Sequence, residues 1–322
     1  MMTKTNVLST QDFKESQHKE FVFLTCSSFE ERAIRIPEIL DLKKAKRAYV
    51  FSTHATTQIE KNAFRILNVL GDIAELRHIE KNDPFSYNQS FGEVINEIIS
   101  EQHKILYIDI TTFNHEMLLI LLKIVDKKKE HFDLVKFLYL GAKEYSVGDT
   151  NENKWLSKGC KEIRSVLGYP GFLVPKKPTC LIILVGFEHE RASALINAME
   201  PDMIIIGHGK AEFEHVFSDQ HIEPMRYFEK IHKSLFAGYS NLKGFDFSVN
   251  NIESTLEIVK KQIDETSGYD HIIVPLNTKT STLAIGLLAL QNQNIQVCYA
   301  EPEIYNNDNY SSPGNLIVTY TL

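Results

Sequence analysis

Apolar positions along the chain fall into short runs of β-branched and aromatic residues, each followed by a stretch with helical spacing. "EFVFLTCSS" predicts a strand and "EERAIRIPEILDL" a helix after it. "RAYVFSTH" predicts a second strand, "TTQIEKNAFRILNVLGD" a helix that stops at Gly71, "IAELRHIE" a third strand and "SFGEVINEIISEQ" a further helix. "KILYIDITT" reads as a buried strand backed by the helix "FNHEMLLILLKIVDKKK", and "VKFLYLG" as one more strand. Strands alternating with helices predict an α/β fold with mainly parallel sheets covered by helices on both faces.

The same order returns downstream. "TCLIILVG", "DMIIIGHG", "DHIIVPLN" and "IQVCYAEPE" read as strands, and "HERASALINAME", "ESTLEIVKKQIDETSG" and "KTSTLAIGLLALQNQ" as helices. The segment 210–250, rich in His, Phe and Tyr, is expected to hold two short helices. Two strand-to-helix junctions echo each other: "CSSFEERA" carries Glu31 and Arg32, and "VGFEHERA" carries Glu190 and Arg191. Glu31 to Glu190, Asp109 to Pro275 and Tyr145 to Tyr305 are separated by about 159, 166 and 160 positions, a nearly constant register. The expectation is an internal duplication: an N-terminal extension over 1–19, one Rossmann-like unit over 20–166, a Pro- and Gly-rich linker "LGYPGFLVPKKP" over 167–178, and a second unit over 179–322.

Bulk properties narrow the function. At 322 residues there is room for two domains, and 43% hydrophobic with 24% charged residues is ordinary globular composition. A net charge of -7 argues against broad nucleic-acid binding, which needs a concentrated excess of Lys and Arg. The four cysteines, Cys26, Cys160, Cys180 and Cys298, are scattered and form no metal-binding pair, so neither a metal nor another cofactor is expected. The polar N-terminus lacks a signal-peptide core, and no run approaches the roughly 20 apolar residues of a membrane helix, so the expected location is cytoplasmic, without a membrane partner.

In open parallel sheets ligands collect at the carboxyl ends of the strands, where loop amides and helix N-termini converge. The polar residues at those ends form the candidate ligand-binding set. In the first unit they are Ser27, Ser28, Glu31, Arg32, Thr53, Asp109, Thr111 and Thr112, with His54 and Asn114 nearby. In the second they are Gly186, Glu190, Arg191, His208, Asn277, Thr278, Lys279 and Thr280. "PLNTKTSTLAIGLLAL" carries the strongest signal, joining helix-capping hydroxyls to a cation at a helix start, which suits an anion such as phosphate; a capped helix with an exposed Lys is the plainer alternative. Each Glu-Arg element has a structural reading too, a carboxylate in a first helical turn beside a salt-bridging Arg. No Gly-x-Gly-x-x-Gly, phosphate-loop or Gly-x-Ser-x-Gly pattern is present, and the histidines, His215 and His221 included, read as surface or satisfied core residues.

A duplicated Rossmann-like unit whose fourth strand runs into Asn277, Thr278 and Lys279 resembles the CARF and SAVED sensor domains of prokaryotic antiviral defence. The resemblance implies a nucleotide-type anionic ligand, contacted by the Thr-Lys turn and the loop after the first strand. It also implies an output through a partner protein or self-assembly. The first unit departs from that pattern, with Thr111, Thr112 and Phe113 where a Lys is expected. Two alternatives stay open on the same scaffold: a nucleotide hydrolase or glycosidase using Glu31 or Glu190, and an interaction subunit with no small-molecule site.

Overall fold

The computed structural model describes residues 5–53, 55–145, 155–187, 190–210, 238–308 and 310–322. In chain order these form β1 (Thr5–Ser9), α1 (Thr10–Glu15), β2 (Phe21–Cys26), α2 (Arg32–Ile39), β3 (Ala45–Ser52), α3 (Thr57–Leu70), β4 (Ala74–His78), α4 (Pro84–Ser100), β5 (Ile105–Asp109), α5 (His115–Lys128) and β6 (Leu134–Tyr145). There follow β7 (Ser157–Lys158), β8 (Glu162–Pro170), β9 (Thr179–Val185), α6 (Glu190–Met199), β10 (Met203–Lys210), β11 (Leu242–Ser248), α7 (Ile252–Glu265), β12 (Asp270–Pro275), α8 (Lys279–Gln291), β13 (Gln296–Glu301), β14 (Ile304–Tyr305) and β15 (Ser311–Thr321). They make an α/β fold of two compact units, one comprising Met1–Lys143 with Ser311–Leu322 and the other Glu144–Tyr310.

The sheet of the first unit runs β1-β15-β6-β5-β2-β3-β4, and that of the second β11-β10-β9-β12-β13-β8. Strands β2 to β6 are parallel, as are β9 to β13. In each unit the first parallel strand, β2 or β9, lies between the second and the fourth, so the strand order reverses beside it. In doubly wound sheets the carboxyl ends beside such a reversal are the usual ligand position. Every residue of β2 is buried, as are six of the seven in β9, which is why both read as continuous apolar runs without alternation. Local signals set the helix limits. Thr56 caps α3 by accepting from the Ile59 amide, and Gly71 ends it at φ 63°, a left-handed conformation that favours glycine. Helix α4 starts six residues before its predicted run, because Asp83 caps it and Pro84 takes the first turn, where its missing N–H costs nothing.

The limits of the units depart from those expected. The N-terminal segment is no mere extension: β1 pairs antiparallel with β15, and Phe13 of α1 is part of the first unit's core. The C-terminal β15 belongs to the first unit. It runs against β6, since the Leu322 amide donates to Val135 O at 3.0 Å while Gly314 packs on Gly141. Residues 167–170 of the expected linker lie in β8, which pairs antiparallel with β13 of the second unit. Thus β8, which follows the first unit's parallel strands, completes the second sheet, and β15, which follows the second unit's, completes the first. Within 210–250, residues Leu242–Ser248 form strand β11 parallel to β10 rather than a helix, while 211–237 lie outside the described residues.

Candidate functional site

At the carboxyl end of the first unit's sheet the candidate side chains are fastened to one another. Asp109 closes β5 fully buried; its carboxylate accepts from the Thr111 amide at 3.0 Å and from Thr25 Oγ1 at 3.2 Å. Thr111 Oγ1 in turn accepts from the Leu140 amide at 3.0 Å, and Thr112 Oγ1 donates to Cys26 O, at the end of β2, at 2.6 Å. Ser27 Oγ donates to Ile59 O at 2.6 Å, and Asn62 Nδ2 to Ser28 O at 2.8 Å. Burial pushes the Asp109 carboxyl up to about 6, against the pull of the Thr111 and Thr25 hydrogen bonds and of Arg32. Burial, with Asp109 adding to it, also pushes the Cys26 thiol up to about 12. This cluster is an internal seam joining β2, β5 and β6, and its polar atoms are spent on the fold.

The Glu-Arg element of this unit divides differently from its reading in sequence. Arg32 is buried and pairs with Glu30, not Glu31: Nε and Nη2 reach Glu30 Oε2 at 2.9 and 2.7 Å, and Nη1 donates to Leu140 O at 3.1 Å. Ser311 Oγ, on β15, donates to the same Glu30 oxygen at 2.6 Å. Glu31 is exposed and holds Arg65 at 2.8 and 3.0 Å. Thr53 is half-buried just past β3, and His54 lies outside the described residues.

In the second unit Arg191 repeats the task of Arg32. It is buried at the start of α6, and its Nη1 donates to Ala300 O, on the fifth parallel strand, at 3.3 Å. Glu190 is exposed and accepts from the Gly159 amide at 2.5 Å. Asn277 Nδ2 donates to Val185 O at 2.6 Å, tying the end of β9 to the turn after β12 as Thr112 ties β2 in the first unit. Gly186 serves close approach at this junction, since a Cβ there would drive into the Leu276 carbonyl oxygen. Gly209 does the same, since a Cβ would lie 2.5 Å from Val249 Cγ1 and 2.9 Å from Asn277 Nδ2. His208 is half-buried on β10 between Val185 and Asp246 in register.

Two helix starts, those after β5 and β12, differ in charge. Asn114 caps α5 by accepting from the Met117 amide at 2.7 Å, and the first turn of α5 already contains the buried carboxylate of Glu116. Thr278 caps α8 by accepting from the Ser281 amide at 3.2 Å, and the hydroxyls of Thr278 and Thr280 both donate to Val249 O. The first turn of α8 has no acidic residue and begins with the half-buried Lys279. A helix N-terminus presents partial positive charge, so that of α5 is met by a protein carboxylate while that of α8 is reinforced by an ammonium.

Sequence reasoning missed Glu30, Asn62 and Glu301. Nothing in "FEER" says which Glu takes the Arg, and Asn62 sits in an ordinary helical pattern. Glu301, at the end of β13, is buried; burial alone would raise its pKa, but Arg164 at 2.8 Å and Lys161 at 3.1 Å hold it below the usual range. Among the described residues no three His, Cys, Asp or Glu side chains converge to hold a metal ion, and no helix is long and apolar enough to cross a membrane.

No protein-family model matches the chain, and no curated protein matches it. Among solved structures, the chain is similar to the NADP-bound N-domain of a bacterial malonyl-CoA reductase, at 8% identity and a TM-score of 0.28, covering 85% of this chain and 78% of that one. It is also similar to an N-terminal ketoreductase of a macrolactin assembly line, at 10% identity and a TM-score of 0.27, covering 84% and 64%. At these TM-scores the likeness has no bearing on substrate or chemistry.

Proposed function

We propose that the second unit binds a nucleotide-type anionic ligand at the carboxyl ends of β9 and β12, with phosphate seated on the first turn of α8. The observation that carries this reading is the charge difference between the two helix starts: the first turn of α5 contains Glu116, whereas that of α8 has no acidic residue and begins with Lys279. First-turn amides and a charge-assisted hydrogen bond from an ammonium are what a phosphate needs. Asn277 and the hydroxyls of Thr278 and Thr280 hold the turn in shape, and Lys279 supplies the charge. The first unit, whose equivalent residues are consumed by its internal seam, acts as scaffold. The resemblance of the Asn277-Thr278-Lys279 turn to CARF and SAVED sensors extends the proposal to a cytoplasmic sensor in phage defence that signals through a partner protein or self-assembly.

Calorimetry with mono-, di- and cyclic oligonucleotides tests the reading. Lys279→Ala is expected to weaken binding by roughly 1.5–3 kcal/mol, about ten- to hundredfold, with an unchanged melting temperature. Equal affinity of variant and wild type, or no binding across the panel, overturns it. Mass spectrometry of the same mixtures is expected to return the nucleotides intact.

A further inference from the structure

Between β8 and β9 the second unit holds three consecutive large apolar side chains in solvent: Phe172, Leu173 and Val174 are 67%, 41% and 44% exposed. Their loop is braced. Gly171 turns at φ +64° where a Cβ would lie 2.5 Å from the Gln296 amide nitrogen, so the entry to the loop admits only glycine. The Phe172 amide donates to Asn294 O at 3.4 Å and the Val174 amide to the buried Asp270 at 2.5 Å, while Lys177 closes the turn on Val174 O at 3.0 Å and on Asp270 at 3.2 Å. Much of this apolar surface stays in water when the second unit folds, yet its backbone is fixed. A preformed apolar prominence of this kind suits binding, because little ordering entropy remains to be lost. Next to it Lys176 is exposed, held at φ 73°.

A recess of opposite character lies in the first unit, along the edge strand β4 and the start of α4. It is a cleft of about 520 Å³ whose lining includes Leu76 and the aromatic Phe85, 71% exposed, together with the carboxylates of Glu80, Asp83 and Glu93. Arg77 and His78 line it too, but Arg77 is met by Glu75 and Glu97 at 2.7 and 2.6 Å and His78 by Glu80 at 3.1 Å, so Asp83 and Glu93 leave the cleft with an excess of carboxylates. We infer that the Phe172–Lys177 loop of one copy docks into the β4–α4 cleft of a second copy, Phe172 and Leu173 against Leu76 and Phe85, and Lys176 among the carboxylates. Copies with a net charge of -7 repel one another, so a contact between them needs such a local pairing of opposite charge. Loop and cleft are different surfaces, so the contact is head-to-tail, and a pair of copies keeps one free loop and one free cleft to which further copies can add. This inference is independent of any ligand in the second unit.

Sedimentation velocity over a concentration series tests it, with melting curves to confirm folding of every variant. Wild type is expected to self-associate, and both F172S/L173S and Glu80→Lys/Glu93→Lys to weaken association about tenfold or more. Mixing the two variants should give a one-to-one dimer and nothing longer, since the first retains a cleft and the second a loop. Wild type that stays monomeric at its highest soluble concentration, association that survives either variant, or monomers that sediment with anionic lipid vesicles through Phe172 would each overturn the inference.

Discussion

Arg32 and Arg191 make the same bond in different units, each donating through Nη1 to a main-chain carbonyl of the fifth parallel strand, Leu140 at 3.1 Å and Ala300 at 3.3 Å. The guanidinium thereby fastens the helix after the first strand to that fifth strand. In the first unit it also neutralises Glu30, whose side chain is only 8% exposed. Arg32→Met is therefore expected to cost about 3–5 kcal/mol, because it leaves a buried carboxylate without its partner. Glu31→Gln, which loosens only the exposed pair with Arg65, should cost under about 1 kcal/mol. Thermal melts of the two variants separate the structural Glu-Arg pair from the superficial one, and equal losses would contradict the assignment.

Asp109 should give stability a pH dependence of uncommon sign. Its folded pKa, about 6, lies above the ordinary carboxyl value, so the folded state holds the proton more tightly than the unfolded chain. Its contribution is complete below about pH 4 and is lost as pH rises through 6. Asp109→Asn keeps the acceptor for the Thr111 amide and offers Thr25 a donor. The variant is expected to be more stable than wild type at pH 8 by up to about 3 kcal/mol, and no more stable at pH 4. Chemical denaturation at the two pH values checks both the sign and the window.

Two glycines should respond oppositely to alanine. Gly92 lies within α4 with open space around its missing Cβ, so Gly92→Ala is expected to stabilise by about 0.5–1 kcal/mol. Gly186→Ala forces a methyl into the Leu276 carbonyl at the β9–β12 junction and should destabilise by roughly 1–3 kcal/mol. Melting temperatures moving in opposite directions would confirm that Gly186 serves packing.

Removing Ser311–Leu322 should damage the first unit, whose other strands are far away in sequence, more than the second. The deletion strips β15 from between β1 and β6, exposing the flank of Leu138 and Leu140 and freeing β1 from its partner. Hydrogen exchange of the truncated chain is expected to rise across β1, β5 and β6 and to stay near wild type in β9 and β12. Loss of protection confined to the second unit would contradict the assignment of β15.

The parallel strands and their helices were legible because each carries its own signal. β2, β5, β9 and β12 each centre on a short apolar run, and α3 and α5 start at capping residues after polar turns. Among the segments missed as strands, β1, β8, β11 and β15 are polar, partly exposed or interrupted by Gly and Pro, and take their structure from partners. Thr5 pairs with Tyr320 at the opposite end of the chain, a contact that leaves no local pattern. β8 contains Gly168 at φ 93° and ends on Pro170, which together read as a linker. The candidate residues were found by their place after strands, and that rule locates the carboxyl ends of the sheet without telling a ligand contact from a seam. Asp109 and Thr111 turn out buried and mutually bonded, whereas Asn277, Thr278 and Lys279 remain partly open, and only packing decides between those outcomes.

The crossed allocation of β8 and β15 also sets an order of events at the ribosome. A chain made from its N-terminus has the parallel strands of its first unit in hand by Tyr145, yet the sheet there stays open beside β6 until Ser311–Thr321 have been synthesised and have left the exit tunnel. The second unit receives its closing strand before its first parallel strand is made, and can complete its sheet as soon as β13 emerges. The half translated first is thus the last to close, and during that interval the unpaired flank of β6 is the nascent chain's chief exposure to chaperones and to mispairing with neighbouring chains.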